Sequence, residues 1–110
     1  MNKLEFVFVI TAYVVSIISV CLFWSNVAVV SAIIAVLSLI FLLLWHRKND
    51  IITFIFGIAF GLVSESICVY FGAWTYTKPT FLVPLWLPLI WGNAAMIIRR
   101  FVIEIDQRIR

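Results

Sequence analysis

The sequence predicts an all-α integral membrane protein: four transmembrane helices packed as an antiparallel up-and-down bundle, with both termini in the cytoplasm. Three observations predict it. Hydrophobic residues make up 65% of the 110 residues and charged residues only 12%, too few charges for the mixed polar surface that keeps a small domain soluble. Four apolar runs, at residues 6–24, 27–45, 51–71 and 81–98, each come near the ~20 residues that a helix needs to cross about 30 Å of hydrocarbon. The basic residues fall on alternate sides of these runs: Lys3, Arg47, Lys48, Arg99, Arg100, Arg108 and Arg110 on one, Lys78 alone on the other. The basic side is the cytoplasmic one, which predicts a multi-pass protein of the cell membrane. Barrel strands are shorter than these runs and alternate apolar with polar residues. The net charge of +3 sits at run ends rather than on one face, which argues against a nucleic-acid partner. The lipid bilayer is the expected surrounding, and the whole chain reads as one membrane domain.

The first run follows Lys3 and continues past Cys21 through Leu22, Phe23 and Trp24. It reads as a retained span rather than a cleaved leader. Ser25-Asn26 breaks it from the second run, and His46-Arg47-Lys48-Asn49-Asp50 breaks the second from the third. Connections this short make neighbouring helices antiparallel. Trp24 and Trp45 stand at span ends, where amphipathic rings anchor in the headgroup layer. Cys21 and Cys68 lie at similar depth but show no CxxC spacing, so they read as packing residues, with a disulfide as the alternative. No metal site or cofactor motif is present.

The third run carries Glu65, which reads as the sole acid inside a span, about 9 Å below the outer surface. A charge there costs at least about 2 to 3 kcal/mol by insertion scales, so an intramembrane acid is a functional-site candidate. Gly57, Gly61, Glu65, Cys68 and Gly72 fall on one stripe of that helix, and the Gly57-x-x-x-Gly61 step predicts close packing against another helix or a second copy. Ser16, Ser19, Ser31 and Trp86 sit at the depth of Glu65, and Ser64 and Ser66 flank it. An outward-opening polar cluster is therefore expected, with Glu65 as its acid.

In the fourth run Pro84 and Pro88 each lack an N–H. Pro88 predicts a bend, Pro84 a position near the helix start. Asn93 is expected to pack by bonding across the bundle. The tail at residues 99–110 pairs Glu104 with Arg108 and Asp106 with Arg110 at i,i+4, which predicts a helix running on into the cytoplasm along the membrane or a partner.

Glu65, Phe71-Gly72-x-Trp74-x-Tyr76-Thr77 and Val83-Pro84-Leu85-x-x-Pro88-x-x-Trp91 together resemble the carotenoid-biosynthesis membrane protein family, which includes hydratases acting on the ends of polyene chains. The resemblance spans residues 65–91. It departs at Trp74, where that family more often has tyrosine, and in length, since those proteins have more spans. It implies a pocket for an isoprenoid or lipid-like ligand. The first reading of the chain is accordingly an outward-facing pocket around Glu65, the candidate catalytic acid, bounded by Ser64, Trp74, Tyr76, Trp86 and Trp91. Two other readings stand beside it. One is a non-enzymatic accessory or scaffold subunit that meets a membrane-protein partner through the Gly57/Gly61 stripe and the tail. The other is a proton-coupled small transporter acting as a homodimer, similar in size to the small multidrug-resistance transporters.

Overall fold

A computed structural model describes residues 1–80 and 82–110, and the described residues contain four helices and no strand. These are α1 (Lys3–Phe23), α2 (Val27–Leu44), α3 (Lys48–Tyr70) and α4 (Trp86–Ile109). Each is long and apolar enough to cross a membrane. The molecule measures 44 × 26 × 22 Å, and its long axis matches the about 40–45 Å of a bilayer with its headgroups.

The helix starts follow from local chemistry. Asn2 Oδ1 accepts from the Glu5 amide at 2.8 Å while Glu5 accepts from the Asn2 amide at 2.9 Å, a reciprocal capping box that opens α1. Asn26 Oδ1 accepts from the Val29 amide at 3.2 Å and opens α2. The fourth span starts later than its hydropathy suggests. Phe81 lies outside the described residues, and α4 begins only at Trp86. Pro88 therefore occupies the first helical turn, where an N–H has no intrahelical partner to lose. The expected bend at Pro88 is replaced by a late start, and Pro84 sits fully buried just ahead of it.

Contacts bring the start of α1, the end of α2, the start of α3 and the C-terminal half of α4 together at one end of the bundle, the end that holds both termini. The main core lies toward this end and contains Val9, Ala12, Phe41, Trp45, Phe54 and Met96. Phe8 meets Phe41 edge-on at 4.9 Å, and Phe41 meets Trp45 at 5.3 Å. A smaller cluster of Val30, Ile34 and Trp86 lies toward the opposite end.

The most extensive helix contact is between α3 and α4. A Cβ on Gly57 would fall 2.8 Å from the Trp91 carbonyl oxygen and from Ala95 Cβ. One on Gly61 would overlap the Trp91 side chain, and one on Gly92 would reach Phe54 and Ile58 at 2.9 Å. Three glycines thus set the spacing of the two helices, as small residues do where backbones approach closely. Outward faces are as apolar as the interior: Leu4 is 82% exposed, Leu43 67% and Phe60 67%. A face like that requires lipid or a partner to cover it.

Trp45 differs from its expected anchoring role. It is 2% exposed, part of the core rather than a belt at the headgroups. Trp24, 47% exposed, remains free to take such a position. Cys21 and Cys68 are both free thiols.

Candidate functional site

Two carboxylates on α3 define the polar chemistry of the molecule. Asp50, in the first turn of α3, is completely buried. Arg99 Nη1 donates to its Oδ1 at 2.5 Å and Arg100 Nη2 donates to its Oδ2 at 2.6 Å. The Arg100 guanidinium also lies 5.1 Å from the centre of the Trp45 ring, a cation–π distance. Trp45 Nε1 in turn donates to Glu5 Oε1 at 3.3 Å. The amino terminus donates to Glu104 Oε2 at 2.8 Å, and Arg108 reaches Glu104 Oε1 at 3.3 Å. All four helices are tied together at this end. Glu65 is therefore not the only acid within a helical span, as its isolation in the sequence suggested.

The other site lies five residues before the end of α3. Glu65 Oε2 accepts from Trp74 Nε1 at 3.0 Å and from the Tyr76 hydroxyl at 2.8 Å. Both donors come from the connection between α3 and α4. Gly72 makes that connection possible: its φ of 80° lies in the left-handed region that favours glycine, and the chain turns there back across the end of α3. The Gly72 and Ala73 amides donate to the Val69 and Cys68 carbonyls at 3.1 and 2.9 Å, closing the helix in a C-terminal turn. Burial pushes the Tyr76 hydroxyl up to about 12, and its hydrogen bond to Glu65 and the Glu65 charge act in the same direction. The tyrosine thus stays protonated and donates at any physiological pH. Both donors land on a single carboxylate oxygen, and Glu65 is only half-buried.

The residues expected around Glu65 divide. Trp74 and Tyr76 bind it directly. Trp91 covers Gly61, one turn along the same stripe, and is 42% exposed. Ser64 is exposed. Trp86 lies elsewhere, packed with Val30 and Ile34 on α2, and its Nε1 has no hydrogen-bond partner among the described residues. The serines at matching depth do not join Glu65 either. Ser16 and Ser19 donate to Ala12 and Val15 carbonyls of their own helix at 2.7 Å, the usual way a hydroxyl in a helix is satisfied. Gly57 and Gly61 pack within the bundle against α4. Asn93 is 6% exposed but makes no bond across the bundle through Oδ1, which has no partner among the described residues.

Sequence reasoning missed Asp50 and its two arginines, having read Asp50 as part of a basic loop and the arginines as topology signals. A signal was available. Asp50 and the Arg99-Arg100 pair lie at the same depth on consecutive spans, and opposite charges at one level of a membrane bundle are expected to pair.

An ion-paired end, a single acid at the other end and four helices each long and apolar enough to cross a membrane define an all-helical protein of the kind that suits a bilayer. The chain belongs to the family described as protein of unknown function DUF2878, which it matches over residues 7–104. No curated protein and no solved structure matches it.

Proposed function

We propose that the protein is a four-span protein of the cell membrane, with both termini in the cytoplasm, and that it presents Glu65 in its outer half to the polar end of an isoprenoid or other lipid-like molecule. The observation that carries this reading is the half-used carboxylate. Among the described residues Glu65 is held by Trp74 and Tyr76 through Oε2 alone, which orients Oε1 without satisfying it. A carboxylate oxygen held at this depth suits a hydroxyl or ammonium group of an amphiphile whose chain lies in the bilayer. The orientation follows from seven basic residues on the termini side against Lys78 on the other. The resemblance to polyene hydratases adds the option that Glu65, after taking up a proton from water, passes it to the bound molecule and returns to the carboxylate.

The test is native mass spectrometry of protein purified from its own membranes in mild detergent, comparing wild type with Glu65→Gln. The variant is expected to stay folded and inserted while retaining roughly tenfold less of the co-purifying long-chain species, the loss expected for one hydrogen bond to a charged group. Equal retention by the two proteins overturns the reading.

A second reading has one observation in its favour. Ile105 and Ile109 on the tail of α4 are 54% and 79% exposed, an apolar edge for an accessory subunit to use. The glycine stripe does not serve that purpose, because α4 already covers it.

A further inference from the structure

We infer that the groove between α1 and α4 is a second binding site, separate from Glu65, for an uncharged long-chain lipid that carries a hydroxyl or carbonyl oxygen. The two helices touch near the termini, where Phe6 meets Phe101 edge-on at 6.4 Å and the amino terminus reaches Glu104. Toward the opposite end a groove of about 500 Å³ opens between them, floored by Phe41 of α2. Ala12, Ile17, Ile90 and Ile97 give it apolar walls, and no charged residue lines it. A volume of about 300–1,000 Å³ is usual for a small-molecule site.

Two of the polar side chains in its lining set it apart from an ordinary lipid-facing crevice. Asn93 and Trp86 are 6% and 8% exposed, and Asn93 Oδ1 and Trp86 Nε1 have no hydrogen-bond partner among the described residues. Leaving such a group buried and unpaired is costly, so a chain that keeps two of them beside one groove carries a recognition element there. The indole Nε1 is closed off where Trp86 packs on α2, so it meets an acceptor in the groove only when the ring turns. The amide, which can turn over to present either its oxygen or its nitrogen, takes a donor or an acceptor. Trp86 begins α4, and Asn93 lies about 10 Å further in along the helix axis. At that depth the partner is an oxygen on a chain within the hydrocarbon, rather than a charged headgroup at the interface.

A transmembrane helix of another protein fits the groove less well. A helix is about 10–12 Å across with its side chains, which exceeds this volume over even two turns. The groove reading does not rest on Glu65, which does not line it.

The test is photolabelling in phosphatidylcholine nanodiscs with a long-chain alcohol bearing a diazirine in its tail, the labelled residues being mapped by peptide mass spectrometry. Labels are expected on Tyr13, Ile17 and Ile98 and not on outward residues of α3 such as Phe56 and Phe60. Ile98→Trp, a rim change that leaves the core untouched, is expected to lower this labelling at least roughly fivefold, since filling the mouth displaces the chain. Asn93→Leu is expected to lower labelling by the alcohol roughly fivefold, the worth of one hydrogen bond, while labelling by the matching diazirine hydrocarbon is unchanged and the thermal stability of the empty protein is equal or higher. Labelling spread evenly over all lipid-facing helices, insensitivity to Ile98→Trp, or equal loss of both probes in Asn93→Leu overturns the proposal, as does a crosslink that fills the groove with another protein chain.

Discussion

Asp50 and Glu65 lie on the same helix, about 22 Å apart along its axis, and the protein treats them in opposite ways. Asp50 is sealed from solvent and has a guanidinium on each oxygen. Its charge is matched and its hydrogen-bonding capacity at those oxygens is taken by charged donors from α4. Glu65 is half-buried, receives neutral donors from one connection, and receives both on one oxygen. A carboxylate locked between two arginines has little left to offer a ligand, whereas one that is oriented but incompletely satisfied has. The contrast teaches that the basic residues near the termini do structural work in addition to any topological role, and it is the reason the proposed binding chemistry is assigned to the opposite end.

The largest expected effect tests that division directly. Asp50→Asn leaves Arg99 and Arg100 beside a group that no longer neutralises them, and breaking a buried pair in this way costs about 3–5 kcal/mol. Both arginine side chains are about a quarter exposed, 27% and 25%, and reach water, so a loss near about 3 kcal/mol is expected. Unfolding in mixed micelles measures it. Glu65→Gln in the same assay is expected to cost about 1 kcal/mol or less, since neutral donors retain an acceptor. Equal losses would erase the distinction between a clamp and a site.

Between the two ends, the glycine seam of α3 and α4 sets how the helix that carries both acids meets its partner. Gly57→Ala places a methyl against the backbone at Trp91 and Gly92, which moves only if the helices separate. Gly61→Ala meets Trp91 at its Cβ and Cγ, and a Cβ moves only with the backbone that carries it, so the helices must separate here as well. The expected penalty is about 1–3 kcal/mol at each glycine, read from the same unfolding curves. A negligible loss at Gly61 would mean that α4 yields at Trp91, and so that the wall beside Glu65 is not rigid.

The four helices and their order were legible because hydropathy is a local property and each apolar run is long enough to speak for itself. The i,i+4 pairs of the tail were legible for the same reason: Arg108 meets Glu104 at 3.3 Å and Arg110 meets Asp106 at 3.2 Å. The Trp74 and Tyr76 contacts with Glu65 span 9 and 11 residues and were within reach of a depth argument. What hydropathy hid was rotation about each helix axis. Depth placed Trp86 and the serines level with Glu65, but rotation turns Trp86 toward α2, lets Ser16 and Ser19 bond their own helix and leaves the Ser31 hydroxyl without a partner among the described residues. It also hid the pairing of Asp50 with arginines 49 and 50 residues away, and the late start of α4, where proline chemistry overrides an apolar run.

The smallest expected effect is a pH dependence confined to the Glu65 end. The Tyr76 hydroxyl titrates at about 12 in the folded protein against an ordinary value of 10.0. Because the folded value is the higher one, the contribution of this proton to stability is fully present below pH 10 and is lost as the pH rises from 10 toward 12. Wild type is therefore expected to lose more stability over that interval than Tyr76→Phe, with tyrosinate absorbance reporting the same step. In Glu65→Gln the step should move only part of the way back, because burial, the largest single cause, remains. A complete return to the ordinary value would mean that the carboxylate alone holds the proton. Glu65 would then face Tyr76 as its fixed partner, as Asp50 faces its arginines, and the difference between the two ends would narrow to one of burial.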